Sequence, residues 1–336
     1  TLSPTDLMAG TLRAGLRVPL ITQEEKVGLM VVHTSQRAGF APGEVALLQA
    51  FANQAAVAIQ RSALTDALQA KVIALEEAQA QLVQKERMER ELELARQVQQ
   101  SVLPRVFPLA PGYAFAARSL PARWVGGDFY DVILLDGDHL GLLIGDVSDK
   151  GMAAALYMAQ THSLIRAEAQ RQEPDAPGLP VSPERVLRSV HSLLQGLSRT
   201  EMFVTVFYGV LNIPERRLVY TRAGHDPPLL LRQGQAMPLG GPGTLLGFPG
   251  LHDLHLAREE IRLQRGDRLI LYTDGMIDAT DPSGRRYGRG RFTSSVRSAG
   301  DLSAADLCEE SFASLEAHQA GSELYDDATL LVVEVH

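Results

Sequence analysis

Between Glu44 and Leu103 the chain contains neither proline nor glycine. These sixty consecutive positions are rich in Ala, Leu, Gln, Glu and Arg, the residues that lose least on entering a helix. Pro42 suits a first helical position and Pro104 forces an end, because the residue before a proline is pushed out of helical backbone geometry. At 1.5 Å per residue an unbroken helix here would reach roughly 90 Å, too long to be wrapped by one domain. Its start carries a broad apolar face (Leu47, Leu48, Phe51, Ala55, Val57, Ala58, Ile59), expected to pack on the segment before it. Beyond Arg61 the apolar set narrows to Leu64, Leu68, Leu75, Ala78 and Leu82, and Leu68, Leu75 and Leu82 keep coiled-coil spacing. Carrying that register on puts Lys85, Glu89 and Arg96 in the seam, whereas Met88, Leu92, Ala95 and Val102 favour another phase. A register break is expected near 85–88. The pattern predicts a parallel coiled coil and hence a homodimer. The alternative is a single amphipathic helix lying on the domain that follows.

The flanks differ from this helix. Residues 1–43 read as β-rich, with strands expected over Leu16 to Ile21 and Lys26 to His33 around the polar turn Thr22 to Glu25. After Phe107, strands are expected over 113–117, 129–135, 140–146, 203–211, 217–222, 229–232, 268–273 and 328–335, and helices over 152–170, 183–197, 290–298 and 304–317. Strands come in adjacent runs rather than in strict alternation with helices, which predicts antiparallel sheets and an α+β fold. The chain begins at Thr1 rather than Met, as a piece of a longer protein would.

Composition excludes several classes. A net charge of −8, a pI near 5.6 and scattered basic residues argue against nucleic-acid binding. No apolar run reaches the roughly 18 residues of a membrane span. The single cysteine, Cys308, excludes an internal disulfide, fits a reducing cytoplasm, and reads as a buried small hydrophobe.

Four short acidic motifs carry the chemistry: GGDFYD (126–131), IGDVSDKG (144–151), LYTDG (271–275) and YDDATLLVV (325–333). In each, an Asp sits at the edge of an apolar or aromatic run. Taken singly, an Asp beside Gly at a strand end is a turn residue. As a set, four such edges can gather at one end of a sheet, where carboxylates repel one another unless cations neutralise them. Hard oxygen ligands of this kind select Mg2+ or Mn2+.

In order along the chain stand GGDFYD, GDVSDKGMAAAL (145–156), EMFVTVFYGVLN (201–212), YTRAGHDPPLL (220–230), GDRLILYTDGMIDA (266–279), YGRGRF (287–292) and DDATLLVV. Residues 107–336 thereby resemble the SpoIIE/RsbU-like branch of the metal-dependent, type-2C serine/threonine protein phosphatases. ELARQVQQSVLP (93–104) is similar to the helix that precedes this domain in the family. Residues 16–60, with FAPGEVALLQAFANQAAVAIQ, are similar to the last part of a GAF sensory domain. The resemblance implies an αββα sandwich, with the C-terminal part of a GAF-like domain over 1–60, a helical coiled-coil linker over 61–106 and the phosphatase domain over 107–336. It also implies two Mg2+ or Mn2+ ions that activate a water for attack on phosphoserine or phosphothreonine, without a covalent enzyme intermediate. By resemblance Asp146 bridges the ions, the Val147 carbonyl and Asp128 serve one of them, and Asp274 and Asp326 hold the other. Asp327 stays open as an alternative to Asp326, with the family pattern favouring the first. The family's usual substrates are phosphorylated STAS-domain antagonists of anti-sigma factors, and a sensor acting through the helix is the expected control.

Four residues sit outside this pattern. Asp149 stands where the branch commonly has Gly, and is either a further cation ligand or solvated. His225 reads as a turn-stabilising histidine or as a substitute for the acid His of the eukaryotic enzymes, Arg123 as a surface residue or a phosphate contact, and Asp131 as a support to the site or a solvated strand residue. Three rival readings are a catalytically silent phosphatase-like module, a diguanylate cyclase, and a coiled-coil scaffold, which ignores two thirds of the chain. The cyclase rests on GGDFY alone and leaves YTDG and DDAT unexplained.

Overall fold

The computed structural model describes residues 12–23, 25–176, 178–197, 201–251 and 253–336. The chain divides into two compact units, residues 1–88 and 89–336. Among the described residues no helix is long and apolar enough to cross a membrane.

In the first unit, β1 (Ala14–Ile21) and β2 (Lys26–Thr34) form an antiparallel hairpin in which Val18 faces Met30. The two-residue alternation of β1 turns Leu16, Val18 and Leu20 to one side. There they meet Leu48, Ala52, Ala55 and Ala56 from the first turns of α1 (Pro42–Gln100). Only Ala52 and Ala56 of this long helix are fully buried. The broad apolar face expected at its start is therefore covered along one stripe only, and Leu47, Phe51, Val57 and Ile59 are exposed. The reason is area: a two-stranded ribbon shields one helical stripe, and the alanines let it approach closely. Leu64, Leu68, Leu75 and Leu82 are each more than half exposed.

The second unit holds the last turns of α1 and then β3 (Tyr113–Leu120), β4 (Phe129–Leu134), β5 (His139–Val147), α2 (Met152–Ala169), α3 (Pro183–Leu197), β6 (Val204–Asn212), β7 (Arg217–Ala223), β8 (Leu229–Arg232), β9 (Gln235–Pro238), β10 (Glu259–Arg262), β11 (Arg268–Tyr272), α4 (Gly275–Asp278), α5 (Gly288–Ser298), α6 (Ala304–Gln319) and β12 (Ala328–Val335). The strands form two five-stranded antiparallel sheets, ordered β10-β7-β6-β5-β4 and β3-β12-β11-β8-β9. Alternation along each strand decides the layers. Leu140, Leu142 and Ile144 point inward to meet Leu269, Leu271, Leu331 and Val333 of the other sheet. Leu143 and Ile133 point outward to α2 and α3, against Met158, Ile165, Leu187 and Val190. Ile270, Leu330 and Val332 point outward to α5 and α6, against Phe292, Leu307 and Phe312. The strands read as continuous apolar runs because both of their faces are covered. The result is the αββα sandwich.

The expected strands and helices are present within a few residues of their expected bounds. The sequence reading missed β9, β10 and α4. The two strands, QAMP and EEIR, are four-residue sheet edges with little apolar signal, and α4 is a single turn. Cys308 is buried in α6, and burial pushes its thiol up to about 12, so it behaves as a small hydrophobe.

Candidate active site

The acidic motifs meet because the strands that carry them are neighbours. Asp128 immediately precedes β4, whose Phe129 pairs with Gly145 of β5. Asp146 and Val147 close β5, with Asp146 opposite Thr205 of β6. In the other sheet, Asp274 follows β11 at the N-cap of α4, and Asp326 and Asp327 lead into β12, which pairs with β11. The two groups are joined by Thr273, whose hydroxyl donates to Asp128 Oδ2 at 2.7 Å and accepts from the Thr329 amide at 2.9 Å.

The field at this junction is strongly acidic. Burial first, then the charges of Asp146 and Asp327, raise the Asp128 carboxyl well above its usual range. Burial, then Asp274 and Asp326, push Asp146 up to about 8. Burial, then Asp326, Asp278 and Asp226, push Asp274 up to about 6, with Lys150 opposing. Asp128 Oδ1 and Asp274 Oδ1 are buried without a hydrogen-bond partner. Buried oxygens left unpaired in a field of like charge are costly unless a cation meets them. The donor set therefore fits hard divalent ions. Among the described residues, no three His, Cys, Asp or Glu side chains are already gathered into one coordination cluster.

Asp326 and Asp327 are placed differently. Asp327 is buried, and its carboxylate accepts from the Ala122 amide at 2.7 Å and the Gly127 amide at 2.6 Å. It clamps the loop that presents Asp128. A Cβ on Gly126 would fall 2.4 Å from Asp327 Oδ2, and one on Gly275 would fall 2.0 Å from the Asp327 carbonyl oxygen. The glycines of GGD and TDG thus make room for one residue. Asp326 is half-buried, with Oδ1 accepting from the Asp327 amide at 3.0 Å and Oδ2 facing Lys150 Nζ at 2.9 Å.

Asp131 is not a solvated strand residue. It is buried, and its Oδ2 meets His162 Nε2 at 2.9 Å and Arg166 Nη1 at 2.5 Å, tying β4 to α2. His225 is also buried. Its Nδ1 lies 3.0 Å from the Thr205 hydroxyl and its Nε2 lies 3.2 Å from the Tyr272 carbonyl, so the ring spans the two sheets. Burial pushes it down to about 4, and a neutral ring with Nε2–H donating to the carbonyl satisfies both contacts. Arg123 is exposed and makes no ion pair among the described residues. Asp149 is exposed at φ +80°, and its Oδ1 accepts from the Lys150 amide at 2.8 Å.

Three residues at the site escaped the sequence reading: Thr273, Lys150 and Gln99. The first two lie inside the acidic motifs, where only an Asp was sought. Gln99, in the last turn of α1, grips Gly126 from both sides: Nε2 donates to its carbonyl and Oε1 accepts from its amide at 3.1 Å. Together with Arg96, Gln100 and Leu103 it lines a cleft of about 40 Å3 that reaches Asp128 and Asp327.

Two antiparallel sheets between helical layers, with the acids at one end of both, define the PP2C class of fold. The SiaA-PP2C domain of Pseudomonas aeruginosa shares it at TM-score 0.62 and 20% identity, over 75% of this chain and 98% of that one. The phosphatase domain and regulatory fragment of SpoIIE from Bacillus subtilis share it at TM-score 0.56 and 17% identity, over 68% and 64%. Residues 136–336 match the family described as stage II sporulation protein E (SpoIIE), and the chain belongs to that family. Residues 5–59 match the GAF domain family. Protein IcfG of Synechocystis sp. is 32% identical over 72% of this chain and 41% of its own length. Phosphoserine phosphatase RsbU of Bacillus subtilis is 28% identical over 58% and 55%. The chain spans about half the length of the curated relatives it matches.

Proposed function

We propose that this chain is a metal-dependent protein serine/threonine phosphatase. The observation that carries the reading is the pair of buried, unpartnered oxygens on Asp128 and Asp274, beside Asp146, in a chain of the SpoIIE family. Two divalent ions, Mg2+ or Mn2+, would supply an activated water and neutralise charge on the phosphoryl group. In this reading Asp146, the Val147 carbonyl and Asp128 would hold one ion, and Asp274 and Asp326, with Asp146, would hold the other. Thr273 orients Asp128, and Asp327 holds the loop that carries it. His225, neutral and engaged at both nitrogens, keeps the sheets in register rather than moving a proton.

The substrate is a phosphoserine or phosphothreonine on a cytoplasmic regulatory protein, most simply a STAS-domain protein. The support is that the relatives RsbU and RsbP bear the name phosphoserine phosphatase. The GAF-like segment (1–60) and the linker (61–106) would deliver a signal to the phosphatase domain (107–336), with the exposed leucines of α1 pairing two chains. Gln99 is the point at which a shift of that helix would reach the GGD loop.

The test is reconstitution. EDTA-treated protein should be inactive on p-nitrophenyl phosphate and on a phosphoserine STAS protein, and Mn2+ or Mg2+ should restore both activities. Hydrolysis indifferent to EDTA, or absent with every added metal, would remove the reading.

A further inference from the structure

Lys150 stands in the loop between β5 and α2, flanked by two residues of positive φ, Asp149 at +80° and Gly151 at +85°. That backbone turns its side chain across to the strand end of the other sheet. Its ammonium lies 2.9 Å from Asp326 Oδ2, donates to the Tyr325 carbonyl, and sits 3.8 Å from the centre of the Tyr325 ring. Among the described residues it is the one cation that ion-pairs with any of Asp128, Asp146, Asp274 and Asp326. Several arginines around the sheet ends are committed elsewhere, Arg166 to Asp131, Arg286 to Asp278, Arg289 to Asp226, and Arg222 to the His225 carbonyl, while Arg123 and Arg96, the latter lining the cleft at Asp128, pair with none of the four acids.

Both oxygens of Asp326 are occupied, one by its neighbour's amide and one by Lys150. A divalent ion taking this carboxylate meets a positive charge already seated there. The ammonium would then be repelled and released. Its flexible stem keeps it at the mouth of the site, where its side chain is 22% exposed. An arriving phosphomonoester is a dianion, and a lysine freed from Asp326 beside the ions carries the matching charge.

We propose that Lys150 is the phosphate-binding cation of this site, held on Asp326 until a divalent ion takes that carboxylate. The inference rests on the metal-dependent reading above. It makes Lys150 a competitor of the metal and a partner of the substrate, two effects of opposite sign that a merely structural lysine would not produce.

The experiment uses the full chain, Lys150→Met and Lys150→Arg. Mn2+ is titrated without substrate, with free Mn2+ read by electron paramagnetic resonance. Inorganic phosphate is then titrated as an inhibitor of p-nitrophenyl phosphate hydrolysis at saturating Mn2+. Lys150→Met should bind Mn2+ about fivefold more tightly, on the scale of removing one competing ion pair, and should be inhibited by phosphate about tenfold more weakly. Lys150→Arg should keep phosphate inhibition within a few-fold of the parent. Unchanged or weaker Mn2+ binding in Lys150→Met overturns the proposal, and so does unchanged phosphate inhibition. A parent chain that binds no Mn2+ would instead remove the metal-dependent reading itself.

Discussion

The hydroxyl of Thr273 donates to Oδ2 of Asp128 across 2.7 Å, linking motifs 145 residues apart and the strand ends of two different sheets. Because the same hydroxyl accepts from the Thr329 amide, its proton is directed at the carboxylate. Asp128 is thereby left with one oxygen satisfied and one free. Thr273→Val keeps the shape and removes both contacts. It should lower stability by about 1–3 kcal/mol and raise the Mn2+ concentration for half-maximal activity, whereas Thr273→Ser should stay near the parent. Denaturant midpoints and metal titrations of the two variants check this. Equal behaviour of Val and Ser would mean that the hydroxyl does not orient Asp128.

Asp146→Asn and Asp274→Asn should each lower hydrolysis by at least ~10²-fold, as expected when the groups that hold an activating metal are lost. Both should leave the fold intact. Activity within a few-fold of the parent in either variant would count against the ligand assignment.

The same acids make the metal-free chain sensitive to alkali. Asp146 is raised from 3.8 to about 8, so between those values the folded chain holds a proton that the unfolded chain has lost. Stability is then withdrawn as pH rises toward the folded value. His225, lowered from 6.5 to about 4, acts in the opposite sense but only below its unfolded value, where acid favours unfolding. Above about pH 6.5 the acids set the main slope, and the buried Cys308 thiol, raised from 9.0 to about 12, adds in the same sense at the alkaline end. EDTA-treated protein should therefore unfold at lower urea at about pH 8.5 than at about pH 6.5, and Asp146→Asn should flatten the difference. A pH-independent midpoint in the parent would contradict the burial of these charges.

Asp326 and Asp327 should separate cleanly. Asp327 spends both carboxylate oxygens on backbone amides, whereas Asp326 meets a side-chain cation. Asp326→Asn should raise the Mn2+ requirement with little effect on stability. Asp327→Ala should destabilise by about 2 kcal/mol or more, since two buried amides lose their acceptor. The reverse pattern in metal titration and thermal unfolding would exchange their roles.

The exposed leucines of α1 predict self-association. Light scattering should report a dimer for the full chain, and Leu68→Glu with Leu75→Glu should yield a monomer. Gln99→Ala should change the phosphatase rate without changing Mn2+ affinity as measured for Asp326→Asn. A monomeric parent at micromolar concentration excludes the coiled coil, and an unaltered rate in Gln99→Ala excludes this contact as a route of control.

Local chemistry wrote much of this protein into its sequence. The absence of any helix breaker over sixty residues determined α1, and apolar runs bounded by Gly, Asp and Pro determined most strands of both sheets. The acidic motifs were legible because an Asp at the edge of an apolar run, beside a close-packed Gly, is a local pattern. Tertiary structure alone decided the rest. Four-residue edge strands such as EEIR carry too little apolar signal to stand out, and they form because a neighbouring strand offers its hydrogen bonds. Asp326 and Asp327 are chemically identical in sequence, and the approach of the Ala122–Gly127 loop to one and of Lys150 to the other distinguishes them. Asp131 and His225 each allow two readings from sequence and Lys150 draws none, until partners from distant segments surround them. A side chain's charge and size are written locally. Its desolvation and its partner depend on what the fold brings to within 3 Å, and no periodicity along the chain records that distance.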